Sequence, residues 1–341
     1  MSRQNKRPQR RPDDERSLVD WLAGRPETAG LIGDDAAVFG ARESHVVTVD
    51  SQVAGVHFPA ELEPGILARR LLAVNLSDLA AMGARPAHAF LALAAAPGFD
   101  HRRFFAGLLG EARRHGLVLA GGDLSSAPVT CASLTLIGAR WPRSRGFLRR
   151  SRARSGDVVY LGGTVGESAL GLELVRRGAR VEGRGVALPP ALDVPRALHA
   201  AARRAVLRHL QPRPQLELGA WLARRTRAAA IDVSDGVARD LHRLCAASGV
   251  GAVIDAELLP RSPRFAELAA WLGLDPLASM LGGGEDYVLL FTLPAGVDVG
   301  RLPGTRRIGR IEAATEILLT GDDGERRDLP DLGWDHVSVR A

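Results

Sequence analysis

The chain has 341 residues, of which 46% are hydrophobic, so it can bury a substantial core, and this composition argues against a fibrous or disordered chain. Its length suits two domains of ordinary size. No apolar run approaches the roughly 20 residues of a membrane span, and the start lacks a secretory signal, so we expect a cytoplasmic protein outside the membrane. Two cysteines, Cys131 and Cys245, are too few for a disulfide framework, and the net charge of +6 lies mostly at the N-terminus.

The first predicted element is a basic tail at residues 1–15. Its first twelve residues contain five basic side chains and no acid, and they are rich in Pro and Gln. We expect this tail to be disordered, with nonspecific RNA contact as the minor alternative and no specific nucleic-acid partner. Lys6 is the only lysine of the chain, so the folded part excludes a Walker-type loop and a lysine Schiff base. A phosphate site there would need metal ions, arginines and backbone amides.

The first half is predicted to mix strands and helices. Strands are expected at residues 45–49, 88–95, 117–120 and 130–139, and helices at 64–86 and 101–115. Residues 141–156 are rich in arginine and lack a long apolar run, so they are predicted to connect two halves.

The second half repeats this mixture. Strands are expected at residues 157–163, 228–232, 251–256, 286–293 and 316–320, helices at 168–178, 196–210, 214–227 and 237–248, and a proline-rich loop at 187–195. The predicted class is therefore α/β (α+β), with an N-terminal domain at 16–145 and a C-terminal domain at 146–341.

Several acidic residues share an unusual context, since each follows an apolar run or adjoins glycine. They are Asp34, Asp35, Asp50, Asp78, Asp123, Asp232, Asp235, Glu285 and Asp286. Taken singly, each is better explained as a turn residue, because Gly and Asp are the commonest turn formers. The glycine-rich segment 162–168 is explained equally well as a helix start after a turn.

Asp78 is the clearest member, because it shares a helical face with Asn75 in a segment that is otherwise apolar. A buried structural Asn and Asp pair that caps a neighbouring loop is the alternative for this helix. If the acids converge, two charges about 4 Å apart repel by roughly 4 kcal/mol at an effective dielectric near 20, so cations are required. Oxygen ligands without His or Cys favour Mg²⁺, with Mn²⁺ or Ca²⁺ as alternatives, and nucleotide phosphates as further ligands.

These motifs also resemble a known family. IGDDAAV, VDSQVAGVHF, AVNLSDLAAMGARP, GGD, IDVSDG and GGGEDY, in this order, resemble thiamine-monophosphate kinase, of the superfamily that includes aminoimidazole ribonucleotide synthetase and selenophosphate synthetase. The resemblance covers the chain from about residue 16 to the GWDHV near its end. It implies transfer of a phosphoryl group from ATP to thiamine monophosphate, several Mg²⁺ ions, and a homodimer whose N-terminal halves pair through their sheets.

The resemblance also implies roles for individual residues. The metal ligands would be Asp34, Asp35, Thr48, Val49, Asp50, Asp78, Asp123, Asp232 and Asp235, with Asp34 less central than Asp35. ATP would contact Gly122, Asp123, Arg150 and Ser234, and the substrate would contact His57, Glu285 and Trp334. Packing, a turn and a C-terminal core anchor are the structural alternatives for these last three. No general base is assigned, because the acceptor phosphate is already largely ionised at pH 7.

The chain departs from the family pattern at three places. Val49 stands where threonine is common and would offer only its carbonyl to a metal, Gln52 stands where an apolar residue is common, and LSS follows GGD. Two other functions stay open at this point: an ATP-dependent ligase or cyclase acting on a phosphoribosyl substrate, and a catalytically silent nucleotide-binding protein.

Overall fold

The structure is a computed structural model that describes residues 15–28, 31–183, 185–225, 227–300, 302 and 304–334. The predicted tail lies outside these ranges except for Glu15, which begins helix α1 (Glu15–Ala23). Within the described ranges, no helix is both long enough and apolar enough to cross a bilayer.

The first half forms a five-stranded sheet with helices on one side. Its strands are β1 (Ala37–Phe39), β2 (His45–Val53), β3 (Ala84–Ala95), β4 (Val118–Ser126) and β5 (Cys131–Arg140), in the order β1-β2-β5-β3-β4, and its helices are α2 (Pro64–Ala81) and α3 (His101–Arg114). Only β3 and β4 pair in parallel. The apolar residues on the inner face of this sheet pack against α2 and α3.

The second half forms a seven-stranded mixed sheet. Its strands are β6 (Val158–Leu161), β9 (Ala229–Asp232), β10 (Gly251–Asp255), β11 (Leu289–Leu293), β12 (Arg306–Glu312), β13 (Ile317–Thr320) and β14 (Arg326–Asp328), in the order β14-β13-β10-β12-β6-β11-β9. The helices are α4 (Glu167–Arg176), α5 (His199–Leu210), α6 (Leu216–Arg225), α7 (Val237–Ser248), α8 (Phe265–Leu272) and α9 (Pro276–Gly282), and β7 (Arg180–Glu182) pairs with β8 (Gly185–Ala187). The predicted boundary near residues 145–155 falls between the two sheets and stays a prediction.

Helix α2 joins the two halves. Its residues belong to three apolar clusters: Ile66 packs with the second half, Leu71 with the first sheet, and Ala80 with α6 and the second sheet. Close approach to α6 requires glycine, because a Cβ on Gly219 would lie 2.1 Å from the carbonyl oxygen of Ala80. Side chains on α2 can therefore reach groups from both halves.

The structure corrects several predicted boundaries. The helix expected to run to residue 86 ends at Ala81, because Gly83 turns the chain with a φ of +61°. Strand β3 then begins at Ala84 and includes Pro86, where its pairing with β5 shifts register. The short strand expected at 117–120 continues through GGD to Ser126. The predicted loop at 187–195 begins in β8 and contains a single 3₁₀ turn.

Candidate active site

Three carboxylates meet where the two halves join. Asp35 precedes β1, Asp78 lies on α2 and Asp232 ends β9, and one oxygen from each lies within 4.8 Å of the others. Each therefore comes from a distant part of the chain. The oxygen-only donor set and this spacing fit a hard divalent cation.

Neighbouring polar groups hold two of these carboxylates in place. The Thr48 hydroxyl donates to Asp78 Oδ2 at 2.5 Å, and the Ser77 hydroxyl donates to Asp232 Oδ2 at 2.6 Å. Helix α2 also binds the strand beside it, because Asn75 Oδ1 accepts from the backbone N–H of Asp50 at 3.1 Å. Asn75 is fully buried and accepts from the backbone of β2, whereas Asp78 accepts from the Thr48 hydroxyl on the same strand, so the neighbour that the two side chains bind is a strand rather than a loop.

The pKa values show that negative charge is crowded here. Burial, followed by repulsion from Asp50, Asp232 and Asp35, raises the pKa of Asp78 well above its usual range. Burial and then Asp35 raise the pKa of Asp232 in the same direction. The pKa of Asp50 is raised to about 6, first by burial and then by Asp235 and Glu285. A cation bound among these groups would relieve the repulsion.

Two arginines from the connecting segment, Arg149 and Arg150, pair with Asp34 and Asp35. Arg150 Nη2 lies 3.0 Å from Asp35 Oδ1, and its Nε donates to Oδ2 at 3.1 Å. Burial is the largest single influence on the pKa of Arg150 and lowers it, but the attraction of Asp35, Asp240 and Asp232 together outweighs burial, so the pKa is raised. Asp34 faces the other way: it accepts from the backbone N–H of Arg150 at 2.9 Å and pairs with Arg149 at 3.2 Å. Asp34 thus supports the loop, whereas Asp35 points into the cluster.

The SDG turn after β9 brings a second acidic group to the site. Asp240 accepts from the backbone N–H groups of Asp235 and Gly236 at 3.1 and 3.2 Å, which fixes the turn. The Asp235 side chain pairs with Arg243, which also contacts Asp240 Oδ1 at 3.1 Å. Burial and then Asp235 raise the pKa of Asp240 to about 7.

Two of the predicted substrate residues, Glu285 and Trp334, lie beside this turn. The backbone N–H of Glu285 donates to the carbonyl of Ser234 at 2.6 Å, and the N–H of Trp334 donates to the carbonyl of Asp235 at 3.2 Å. The Trp334 side chain is 44% exposed, which argues against a core anchor. His57 Nδ1 accepts from the N–H of Val53 at 3.1 Å, so its proton lies on Nε2.

Three other predicted residues lie apart from the carboxylates. Gly122 and Asp123 are exposed on edge strand β4, and no hydrogen bond or ion pair within the described ranges joins Asp123 to the acids. Val49 is 61% exposed, on the face of β2 opposite to Thr48, so only its backbone could take part.

The glycine-rich segment 162–168 already binds a carboxyl group of the chain itself. Asp286 is buried and accepts from the backbone N–H groups of Gly166 and, at 3.0 Å, Ser168. These amides stand at the start of α4, where a negative charge is favoured. The segment is therefore a helix start tied to the GGGEDY loop.

Sequence reasoning missed several residues that organise the site. Ser77 holds Asp232, Asp240 fixes the SDG turn, Arg243 pairs with Asp235, and Arg70 pairs with Glu285. Arg70 had a detectable signal, because it is a charged residue inside an apolar helical run that proves to be fully buried.

Comparison with known proteins gives consistent matches along the chain. The model of the AIR synthase related protein N-terminal domain matches residues 33–139, and that of its C-terminal domain matches residues 154–298. A thiamine-monophosphate kinase from Salmonella typhimurium is 37% identical over 322 residues, which is 90% of this chain and 92% of the relative. One from Caulobacter vibrioides is 36% identical over 81% of this chain and 74% of the relative.

Solved structures agree with these matches. The structure of AaThiL complexed with AMPPCP and TMP has a TM-score of 0.81 at 28% identity, with 95% of this chain and 97% of that chain covered. Thiamine-monophosphate kinase from Stenotrophomonas maltophilia has a TM-score of 0.69 at 36% identity, covering 91% and 96%. Hydrogenase maturation protein HypE, at 18% identity and a TM-score of 0.66 over 88% and 92%, shares the fold.

Proposed function

The chain belongs to the AIR synthase related family and, within it, to the thiamine-monophosphate kinases, and we propose that Mg²⁺ ions held by its clustered carboxylates assist the reaction. The protein is an ATP-dependent kinase that phosphorylates thiamine monophosphate to thiamine diphosphate. The observation that carries the metal proposal is the meeting of Asp35, Asp78 and Asp232 within 4.8 Å. Because the reaction consumes ATP, we place it in the cytoplasm.

The residues present fit Mg²⁺ by their chemistry. Asp35, Asp78 and Asp232 would hold one ion, and Asp50 and Asp235 would extend the set, with Thr48 orienting Asp78. When bound, Mg²⁺ would neutralise the phosphates of the two anionic substrates. Asp34 is proposed to support this set through Arg149, and Asp123 and the Val49 carbonyl stay predicted ligands that lie apart from the three clustered carboxylates.

The chain's own groups position the substrates. An oxygen of the acceptor phosphate forms the bond to the γ-phosphorus of ATP, the bond to the bridging oxygen breaks, and ADP leaves. We propose that Arg150, Ser234, Gly122 and Asp123 contact ATP. The Nε2–H of His57 can donate to an anionic substrate group, and Trp334 can offer its ring face to the cationic heterocycle of thiamine. Catalysis then depends on positioning and charge neutralisation.

A product assay tests this proposal. With ATP, Mg²⁺ and thiamine monophosphate, the purified protein is expected to form thiamine diphosphate and ADP in equal amounts, and EDTA should abolish both products. Chromatography of the thiamine esters measures the outcome. ADP formation without thiamine diphosphate would contradict kinase activity, and full activity in EDTA would contradict the metal proposal alone.

The same site predicts how Mg²⁺ affinity depends on pH. Mg²⁺ binds ionised carboxylates, so it must displace the proton of Asp50, whose pKa is about 6, and those of Asp78 and Asp232. Between pH 7.5 and pH 5.5 the half-saturating Mg²⁺ concentration should rise about fourfold from Asp50 alone, and further from the other two acids. Thermal unfolding against Mg²⁺ without nucleotide measures it, and a pH-independent midpoint would contradict the assignment.

The outer face of the five-stranded sheet supports a homodimer. Val49, Thr135 and Phe90 lie in one row across β2, β5 and β3, with Val49 61% and Phe90 41% exposed. Val118 of β4 is also exposed, at 56%. We propose that a second copy of this chain covers the face, since large exposed apolar patches mark interaction sites.

A charge placed on this face is expected to separate the subunits. Phe90→Glu should shift the protein from dimer to monomer, because the carboxylate would lose its water in the interface. Sedimentation velocity measures the change. Leu109→Glu on α3, where the leucine is 44% exposed, introduces the same charge elsewhere and should leave the dimer intact. A Phe90→Glu protein that stays dimeric would place the interface elsewhere.

A further inference from the structure

Arg70 is a fully buried cation that joins three separate elements. Its Nε donates to Gln52 Oε1 on β2 at 3.0 Å, its Nη1 donates to the backbone carbonyl of His209 on α5, and its Nη2 pairs with Glu285 Oε1. The side chain has no exposed surface, so its charge depends on these acceptors. The three bonds fix the plane of the guanidinium group.

Glu285 is held from both sides. Its Oε1 meets Arg70, and its Oε2 lies 3.3 Å from His209 Nδ1. Burial and then the charge of Arg70 lower the pKa of His209 to about 3, so the imidazole is neutral at pH 7 and Arg70 supplies the positive charge that balances the carboxylate. The Glu285 side chain is nevertheless 27% exposed, so it stays accessible to a ligand.

The backbone of the loop that carries Glu285 adopts a strained conformation. Glu285 has a φ of +65° and Tyr287 a φ of +51°, a conformation that side-chain-bearing residues rarely adopt. Glycine at 284 is required nearby, because a Cβ there would lie 2.2 Å from the carbonyl of Ser234. The strained loop therefore relies on its contacts to keep one arrangement.

Gln52 connects Arg70 to β2, the strand that also carries Thr48 and Asp50. Thr48, Asp50 and Gln52 alternate along β2 and face the same side of the sheet. Gln52 is 3% exposed, and it occupies a position where the family pattern commonly has an apolar residue. An apolar side chain there could not accept the Arg70 Nε–H.

We propose that Arg70 is a positioning residue for thiamine monophosphate recognition: it orients the Glu285 carboxylate toward the substrate, and Gln52 orients Arg70. The inference rests on the proposed substrate contact of Glu285. A merely structural role, in which Arg70 only joins the two halves, would affect all ligands alike. The positioning role affects one substrate selectively.

The test is Arg70→Lys, which keeps the charge but loses the planar fork. We expect the KM for thiamine monophosphate to rise about tenfold, with kcat and the KM for ATP changed less than about twofold. Arg69→Lys is the matched control, because Arg69 is the next residue of the same helix, is 36% exposed and should leave both KM values unchanged. If Arg70→Lys does not fold, Gln52→Leu replaces it, with an expected rise of about threefold in the same KM.

A double substitution separates the possible outcomes. Glu285→Ala should raise the KM for thiamine monophosphate, and adding Arg70→Lys to it should raise this KM no further, because Arg70 acts through Glu285. Equal changes in both KM values, or additive effects in the double variant, would overturn the positioning role. An unchanged KM in Glu285→Ala would overturn the substrate contact itself, while the kinase activity of the parent protein would still stand.

Discussion

Replacement of Asp78 by Asn is expected to lower turnover by on the order of 10³-fold at saturating Mg²⁺ and ATP. Asp78 is the central member of the three-carboxylate cluster and is approached by Asp35, Asp50 and Asp232. The substitution removes one charge from the proposed metal site without changing the size of the side chain. Steady-state formation of thiamine diphosphate measures the loss.

The fold should survive this change and become more stable without metal. The amide oxygen of Asn can still accept from the Thr48 hydroxyl, which donates to Asp78 at 2.5 Å. The folded-state pKa of Asp78 is raised, so ionised Asp78 lowers the free energy of unfolding at pH values above its unfolded pKa. In EDTA at pH 8 the variant should therefore unfold at a higher temperature than the parent, and the difference should shrink as the pH falls.

The control is Asp322→Asn, which makes the same chemical change at an exposed position in the turn between β13 and β14. Turnover and unfolding temperature should both match the parent there. If Asp78→Asn keeps parental turnover, the cluster does not hold a catalytic metal. If it loses turnover but also unfolds, the loss says nothing specific about metal binding, and the unfolding contradicts the predicted gain in stability.

Asp235→Asn is the second substitution with a large expected effect, a fall in turnover on the order of 10²-fold. Among the charged neighbours of Asp50, Asp235 raises its pKa the most, so the Asp235 carboxylate lies near Asp50 in the proposed metal set. The turn should keep its shape, because Asp240 binds the backbone N–H groups of Asp235 and Gly236 rather than the side chain. Arg243 would retain Asp240 as its partner.

The half-saturating Mg²⁺ concentration distinguishes a ligand from a turn residue. Asp235→Asn should raise this concentration along with its loss of turnover, and the unfolding temperature should stay within the range of the Asp322→Asn control. A loss of turnover with unchanged Mg²⁺ dependence would remove Asp235 from the metal set. Parental turnover in both Asp78→Asn and Asp235→Asn would reject carboxylate-held metal altogether.

The acids of the cluster could be predicted from sequence because each has a local signature. Asp35, Asp78 and Asp232 follow apolar runs, and only convergence explains so many acids placed beside buried segments. The arginines that pair with Asp35 and Asp235 lack such a local signature. Arg243 and Arg150 stand among many arginines, and the choice between them depends on which turns face one another in three dimensions. Asp34 and Asp35 are adjacent, yet the structure gives them different ion-pair partners, Arg149 and Arg150, because successive side chains point in different directions.

The fold shows the same division between local and distant causes. The helix at His101–Arg114 was predicted closely, since its apolar spacing and the Asp100 cap are local signals. The extension of β4 through GGD depends on pairing with β3, and the short strand β14 depends on β13. The sequence of β4 or of β14 does not reveal the strand with which it pairs. The kinase assignment, in turn, came from resemblance, because composition cannot specify thiamine.

Helix α2 has a consequence for how this enzyme could be divided or recombined. Its residues contribute to all three apolar clusters, and the side chains that orient both Asp78 and Glu285 project from it or bond to it. A fragment that ends in the arginine-rich connection would expose to water the apolar side of α2 that packs against the second half. The complementary fragment would lack the helix against which its own apolar residues pack. Exchange of halves between relatives would succeed only where α2 of the donor packs well against the second half of the recipient. Helix α2 and the surfaces of both halves that contact it must therefore be exchanged together.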